Sequence, residues 1–293
     1  MLEFKTLTID DKELFESYTK HKYDNSEASF ANIFIWREFY NTLYAVVGDF
    51  LVIYNSSVTG EKFCYVPFGE GDFMECVDML REHFHSKGEK LSIVSATKEQ
   101  SEIIKSHYPD AVVSCNRDFE DYVYLTEKLI NLSGRKLRSK RNHLNNFHDR
   151  YEYKYRELTK DDFDECLELS RNSILKTRSE DDISYIYEMA SIKSAFEQFD
   201  RLELCGGVIE IDGKIAAFTV GELLNDEKAL NHIEKADTDY DGIYAAINNE
   251  FAKNRWKDIT YINREEDMGL EGLRTAKESY RHHHMVEKYL CVI

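Results

Sequence analysis

Cysteines are few and scattered in this chain. The six stand at positions 64, 76, 115, 166, 205 and 291, none within four residues of another. That spacing excludes paired-cysteine zinc and redox motifs. The thiols read as free and mostly buried, in a reducing compartment. Proline is scarcer: only Pro67 and Pro109 occur in 293 residues. The chain therefore has no proline-rich spacer, and a domain boundary must fall in structured polypeptide. No run approaches the roughly 20 apolar residues of a spanning helix. The start, Met1-Leu2-Glu3-Phe4-Lys5, lacks the charged-then-apolar order of an export signal. A cytoplasmic protein is expected, with at most peripheral contact to anionic lipid. Positive charge is also short. The 38 Lys and Arg face 55 Asp and Glu, a net charge of -17, which repels nucleic acid and anionic membranes at long range. A global charge does not forbid a local basic patch.

What is present suits globular cores. Hydrophobic residues make up 42% and aromatics 13%, and the length fits two domains of roughly 100–200 residues each. The 19 Tyr and 17 Phe dwarf the 2 Trp; Tyr, with one wet end, suits clefts and edges. Apolar spacing predicts helices over residues 10–22, 73–87 and 98–107, and a helix or strand entry over 30–40. Runs at 43–47 and 50–54 flank Gly48-Asp49 and read as a hairpin. Strands are expected at 62–67, 91–95 and 122–125. Further helices follow at 161–173 and 182–199. A second hairpin, 202–211 and 214–224, turns at Asp212-Gly213. Strand 229–235, helix 243–255, strand 259–262, helix 270–279 and a last strand at 288–293 complete the chain. Each half runs helices, hairpin, strand, helix, strand. That order implies an α/β (α+β) protein with a duplicated architecture, although no sequence repeat stands out.

Four stretches can carry chemistry. Residues 133–150, SGRKLRSKRNHLNNFHDR, hold Arg135, Lys136, Arg138, Lys140, Arg141 and Arg150 against Asp149 alone. This is an amphipathic basic helix joining the halves. It is either a charged connector or a phosphate-binding surface for tRNA or anionic lipid. In the strand at 229–235, alternation puts His232 and Glu234 on one face, just before a strand-to-helix turn able to bind an oxyanion or phosphate. Residues 261–280 deliver Asn263, Arg264, Glu265, Glu266 and Asp267 into a glycine-punctuated turn, with Lys277 one helix on. A carboxylate there can take a proton or hold an ammonium, while Asp267 can equally cap a helix. The three histidines 282–284 cannot all face one point from a strand, and no metal site is expected.

Three of these blocks carry a resemblance. NREEDMGLEGLRTAKESYR (263–281), SGRKLRSKRNHLNNF (133–147) and EASFANIFIWREFY (27–40) resemble, in order, segments of the family typified by the C-terminal domain of phosphatidylglycerol lysyltransferase. The resemblance implies two tandem acyl-CoA N-acyltransferase-like domains of the Gcn5-related kind, with mixed sheets flanked by helices. The expected boundaries are 1–128, a connecting helix at 129–150, and a second domain at 151–293 carrying the site. Relatives move an amino acid from aminoacyl-tRNA to a lipid headgroup or a cell-wall peptide. Glu266 and Asp267, then Glu234, are the implied catalytic carboxylates. His232, Arg264, Arg274 and Lys277 are the implied substrate contacts. Arg135, Lys136, Arg138, Lys140 and Arg141 are the implied phosphate, tRNA or lipid contacts. The chain departs from the family in lacking a transmembrane portion and the proline that usually follows the Ser-Tyr pair.

No cofactor is expected, aminoacyl-tRNA being the donor. Acetyltransferases cradle coenzyme A pyrophosphate on a glycine-rich loop. Here Asp239 and Asp241 precede Gly242, and Tyr244 follows it, which argues electrostatically against a coenzyme A thioester. Two other readings stand beside aminoacyl transfer: a coenzyme-A-dependent N-acyltransferase, and a non-catalytic module that binds a ligand.

Overall fold

The computed structural model describes residues 2–293. The first seven strands are β1 (Lys5–Thr6), β2 (Leu43–Val47), β3 (Phe50–Ser56), β4 (Lys62–Tyr65), β5 (Phe68–Gly69), β6 (Ser92–Ala96) and β7 (Val112–Cys115). Then come β8 (Asp121–Leu125), β9 (Tyr153–Glu157), β10 (Cys205–Ile211), β11 (Lys214–Asn225), β12 (Lys228–Ala236), β13 (Tyr261–Asn263), β14 (His284–Val286) and β15 (Tyr289–Val292). The helices are α1 (Lys12–Thr19), α2 (Phe30–Tyr40), α3 (Phe73–His85), α4 (Lys98–His107) and α5 (Thr126–Asn131). They continue with α6 (Arg138–Arg150), α7 (Phe163–Leu175), α8 (Ile183–Glu197), α9 (Ile243–Arg255) and α10 (Glu271–Ser279). The ambiguous aromatic block resolves as α2, capped by the Ser29 hydroxyl on Asn32 N–H and closed by Asn41 at φ 44°.

Two compact units divide the chain: Met1–Glu120 with Val286–Ile293, and Asp121–Met285. Their sheets follow one plan. The first runs β1-β2-β3-β4-β6-β15-β7, and the second, read from its other edge, β9-β10-β11-β12-β13-β8-β14. In each, antiparallel strands lead to one parallel pair, β4 with β6 and β12 with β13. A strand from a distant part of the chain then adds antiparallel. The duplication also has a sequence echo that periodicity alone passes over. Leu7-Thr8-Ile9-Asp10-Asp11 and Leu158-Thr159-Lys160-Asp161-Asp162 each open the first helices of their unit. Asp11 accepts from the Thr8 N–H and hydroxyl at 2.8 Å each, and Asp162 from those of Thr159 at 2.7 and 2.8 Å.

The expected boundaries move at three places. β8, expected to end the first domain, pairs with β13, and its Tyr122 and Tyr124 are buried in the second unit's core. The basic segment is not a free connector: Leu137, just before α6, and Leu144 and Phe147 of α6 enter that same core. The last strand, β15, returns to the first unit, where Cys291 is fully buried with Ile93 and Cys64. Local patterning specifies a strand but not its partners, which depend on the complementary faces available. Deleting residues 289–293 removes an internal strand, and hydrogen exchange should show β6 and β7 losing protection. Phe147→Ala should cost about 3–5 kcal/mol in urea unfolding; a neutral change would mean that α6 is a loosely attached connector.

Candidate functional site

The site begins where two strands part. β12 and β13 pair in parallel over three residues only, Lys228 with Tyr261, Ala229 with Ile262 and Leu230 with Asn263. β12 then runs on to Ala236 with β11 alone beside it. Its other edge faces the turn after Asn263. The first unit has no such overhang, because β4 ends at Tyr65, the last residue that it pairs with β6.

The turn holds an uncommon backbone. Glu265 and Met268 adopt φ of 57° and 51°, a left-handed conformation that costs about 1–2 kcal/mol for each non-glycine residue. Side chains of the family-like motif hold it in place. Asn263 accepts from the Glu265 N–H at 2.7 Å and donates to Asp121 at 2.9 Å. Lys277 donates to the carbonyls of Arg264 (2.6 Å), Glu265 (3.1 Å) and Glu266. Asp267 is fully buried. It accepts from Tyr122 (2.6 Å), the Gly269 N–H (2.9 Å) and both arms of Arg274 (2.9 and 2.7 Å).

These contacts revise several expected roles. An ammonium has three donors, and those of Lys277 all go to carbonyls, so it staples the turn and does not hold a phosphate. Burial pulls its pKa down to about 8, against the opposing carboxylate of Glu266. For Asp267, burial alone would raise the pKa, but Arg274, Tyr122 and Gly269 hold it well below the carboxylate range. A carboxylate so strongly hydrogen-bonded is a poor base. Asp267 and Arg274 thus position the turn and α10. Glu266 contributes its carbonyl to the Lys277 staple and its negative charge beside it.

Both β12 candidates reach this turn. His232 is the extra residue of a β-bulge, since Val220 faces Ile233 while Gly221 faces Asn231. Its buried ring lies between Glu265 (2.8 Å) and Glu222 (3.0 Å). Burial disfavours its charge, but the two carboxylates override that and raise the pKa to about 10. Both ring nitrogens of His232 are engaged by carboxylates, so it bridges two acids and leaves no nitrogen for the substrate contact expected of it. Glu234 receives a hydrogen bond from Arg264 Nη2 at 3.0 Å. Burial opposes the Arg264 charge and Glu234 more than restores it, raising the guanidinium's pKa. Glu234 Oε2 and Arg264 Nη1 are both buried and meet no protein hydrogen-bond partner. Thr219, directly across from Glu234, has a hydroxyl in the same condition.

The basic segment divides. Arg135, Lys136 and Arg138 are exposed. Arg141 donates to the Leu132 and Gly134 carbonyls, closing the end of α5, so it does not continue a phosphate track. Lys140 turns inward over Tyr280, 4.5 Å from the ring centroid. Before α9, Lys176 binds Asp237 and Asp239 at 2.8 Å each, and Arg150 binds Asp241 at 2.9 Å. A Cβ on Gly242 would stand 2.6 Å from the His143 carbonyl, so α6 lies against this loop. Among the described residues no group of three or more His, Cys, Asp or Glu is placed to hold a metal ion. None of their helices is long and apolar enough to cross a membrane.

Sequence reasoning missed Glu222, Glu265 as a partner of His232, Thr219 and Tyr280. A bulge leaves no periodic signal, Glu222 and Thr219 meet β12 only across the sheet, and Tyr280 meets Arg264 and Lys140 from the end of α10.

A sheet whose antiparallel strands lead to one parallel pair and then to a strand from elsewhere in the chain, built twice, is the tandem Gcn5-related N-acetyltransferase-like fold. The chain belongs to the family described as phosphatidylglycerol lysyltransferase, C-terminal, whose model matches residues 19–292. It is similar to a conserved protein of unknown function from Bacteroides thetaiotaomicron, with 34% identity, full coverage of both chains and a TM-score of 0.92. The fold also matches the C-terminal domain of an Agrobacterium fabrum protein assigned as a lysylphosphatidylglycerol synthetase. There the identity is 15%, coverage 97% and 92%, and the TM-score 0.68. A tandem acetyltransferase-like protein from the clavulanic acid biosynthesis pathway shares the fold at 9% identity, 100% and 98% coverage and a TM-score of 0.53.

The pH dependence of the His232 bridge follows from its sign. A raised histidine pKa contributes stability that is complete below the unfolded value near 6.5 and is lost as pH rises through about 10. His232→Gln should therefore cost roughly 3 kcal/mol at pH 6, with the difference from wild type shrinking steadily towards pH 10 in urea titrations. A constant difference would mean that the ring is held neutral.

Proposed function

We propose that the chain is an aminoacyltransferase whose donor is an aminoacyl-tRNA and whose acceptor is an amine or hydroxyl on a lipid headgroup, peptide or other molecule. The observation that carries this reading is the Arg264–Glu234 pair beside the open edge of β12. One buried carboxylate oxygen and one buried guanidinium nitrogen in it have no protein partner. A buried donor and acceptor left unpaired are costly. An aminoacyl ester supplies the complement to both: its α-ammonium suits Glu234 Oε2, and its carbonyl oxygen suits Arg264 Nη1. In the reaction the acceptor's nitrogen or oxygen bonds to the ester carbonyl carbon, and the bond to the ribose oxygen breaks. The acceptor's proton ends on that ribose oxygen. Arg264 then faces the oxygen on which negative charge develops, where a pre-placed donor contributes most. Family membership supports the same chemistry.

The exposed Arg135, Lys136 and Arg138 are the proposed contacts for the RNA backbone, a local exception to the acidic whole. Beside the charge of Asp239 and Asp241, α6 packs closely against Gly242, in the loop where a coenzyme A pyrophosphate would be cradled.

The test is incubation with a pool of charged tRNAs, following ester loss amino acid by amino acid. Glu234→Gln keeps an acceptor for Arg264 and should stay folded by circular dichroism, yet transfer should fall at least about 100-fold, roughly 2.7 kcal/mol. Undiminished transfer by this variant, or no ester loss and no RNA binding at low salt, would sink the assignment.

A further inference from the structure

Glu234 has polar neighbours on its own face of the sheet. β11 and β12 set Thr219 opposite Glu234 and Gly221 opposite Asn231. Strand alternation puts both pairs on one side of the sheet. Ala217 and Ala236, the next pair along, face that side too, and both belong to the core beneath α9. The surroundings are dry: Thr219 is fully buried and Asn231 is 8% exposed.

Gly221 keeps this floor low. A Cβ there would stand 2.2 Å from the Leu230 carbonyl and 3.2 Å from Asn231 Oδ1. The backbone contact forbids any side chain at 221, so none can partner the amide oxygen from across the pair.

The unpaired atoms have a definite chemistry. Thr219 Oγ1, Asn231 Oδ1 and Glu234 Oε2 are buried and meet no protein hydrogen-bond partner. No other side-chain atom described in β11 or β12 is in that condition. All three are able to accept, a hydroxyl through its lone pairs whichever way its proton turns. Arg264 Nη1, bound through its neighbour Nη2 to Glu234, can only donate. The complement is a group with three donors next to a group with one acceptor. A primary ammonium has three N–H donors, and the carbonyl of an α-amino ester adjoins it. A secondary ammonium has two, and an acylated nitrogen has one.

We propose that Thr219, Asn231 and Glu234 together hold the α-ammonium of the transferred amino acid, so that the site takes primary α-aminoacyl groups and rejects N-alkylated and N-acylated ones. This deepens the aminoacyl reading and rests on it for the identity of the ligand. Thr219 and Asn231 then select the state of the nitrogen, and a prolyl group is excluded with the other secondary amines.

The test is proton NMR titration of the full chain with L-alaninamide, N-methyl-L-alaninamide and N-acetyl-L-alaninamide. It is run at about pH 6, well below the α-amino pKa of roughly 8. Wild type should bind the primary amide at least about tenfold tighter than either blocked form. Thr219→Val keeps the shape and removes the hydroxyl, and Asn231→Ala removes the amide. Each should weaken the primary amide about fivefold or more and narrow its lead over the N-methyl form. Thr219→Val should not lower the urea midpoint, because the hydroxyl that it removes is unpaired. Equal affinity for primary and N-methyl amides, unchanged binding by Thr219→Val, or no binding of the primary amide overturns the proposal. Ester loss from charged tRNA, followed in parallel, separates this failure from that of the aminoacyl reading. Ester loss without amine selectivity removes the ammonium site alone. Selective binding of the primary amide without ester loss keeps that site and removes aminoacyl transfer.

Discussion

After Asn263 the backbone must leave β12, and it does so through left-handed residues that are not glycine. Glu265 and Met268 have side chains where glycine is usual, and the conformation persists because its surroundings determine it several times over. Lys277 gathers three successive carbonyls, Asn263 holds the Glu265 amide, and the Asp267–Arg274 fork ties the turn to α10. Everything at the site depends on this. The turn keeps β13 from following β12, and the same turn presents Arg264 and Glu265 to the exposed edge. A strained loop over a fixed scaffold is a common way to hold polar groups in an arrangement that they would not adopt alone.

The charged side chains at the site fall into two sets with different physics. Asp267, Arg274 and Lys277 meet one another, Tyr122 or the backbone, and they maintain the fold. Glu234, Arg264 and Lys140 are only partly satisfied. The His232 bridge lies between these sets: its own bonds are complete, but it orients Glu265 and Glu222 at the edge of the gap. Within a chain of net charge -17, Arg264 and the half-buried Lys140 stand on one ring, Tyr280, with Glu234 bonded to Arg264. Long-range repulsion is screened within roughly 10 Å at ordinary salt, and close contact decides.

Much of the fold was legible in order of elements. Alternation and the Asp212-Gly213 turn mark the long hairpin, three- and four-residue spacing marks α3, α7 and α9, and the recurrence of the pattern implies two similar units. The candidate residues were legible as a neighbourhood, since Arg264, Glu234 and His232 do converge. Their division of labour was not. Nothing in the one-letter string separates a lysine that caps three carbonyls from one that holds a phosphate, because both are single charges one helix beyond a turn.

Local structure, the duplicated plan and the family follow from the order of residues alone, because they rest on periodicity, turn chemistry and motifs contiguous along the chain. Folding in three dimensions is what assigns β8 to the second unit and β15 to the first, makes Arg141 close a helix while Lys140 turns over Tyr280, and saturates Asp267 while leaving Glu234 with an unpartnered oxygen. Strand partners, and whether a charge is satisfied, depend on groups that are 30 to more than 250 residues apart, as with Arg264 and Glu234 or Lys288 and Ser26. Burial turns such distant pairings into large energies, and no local pattern encodes them.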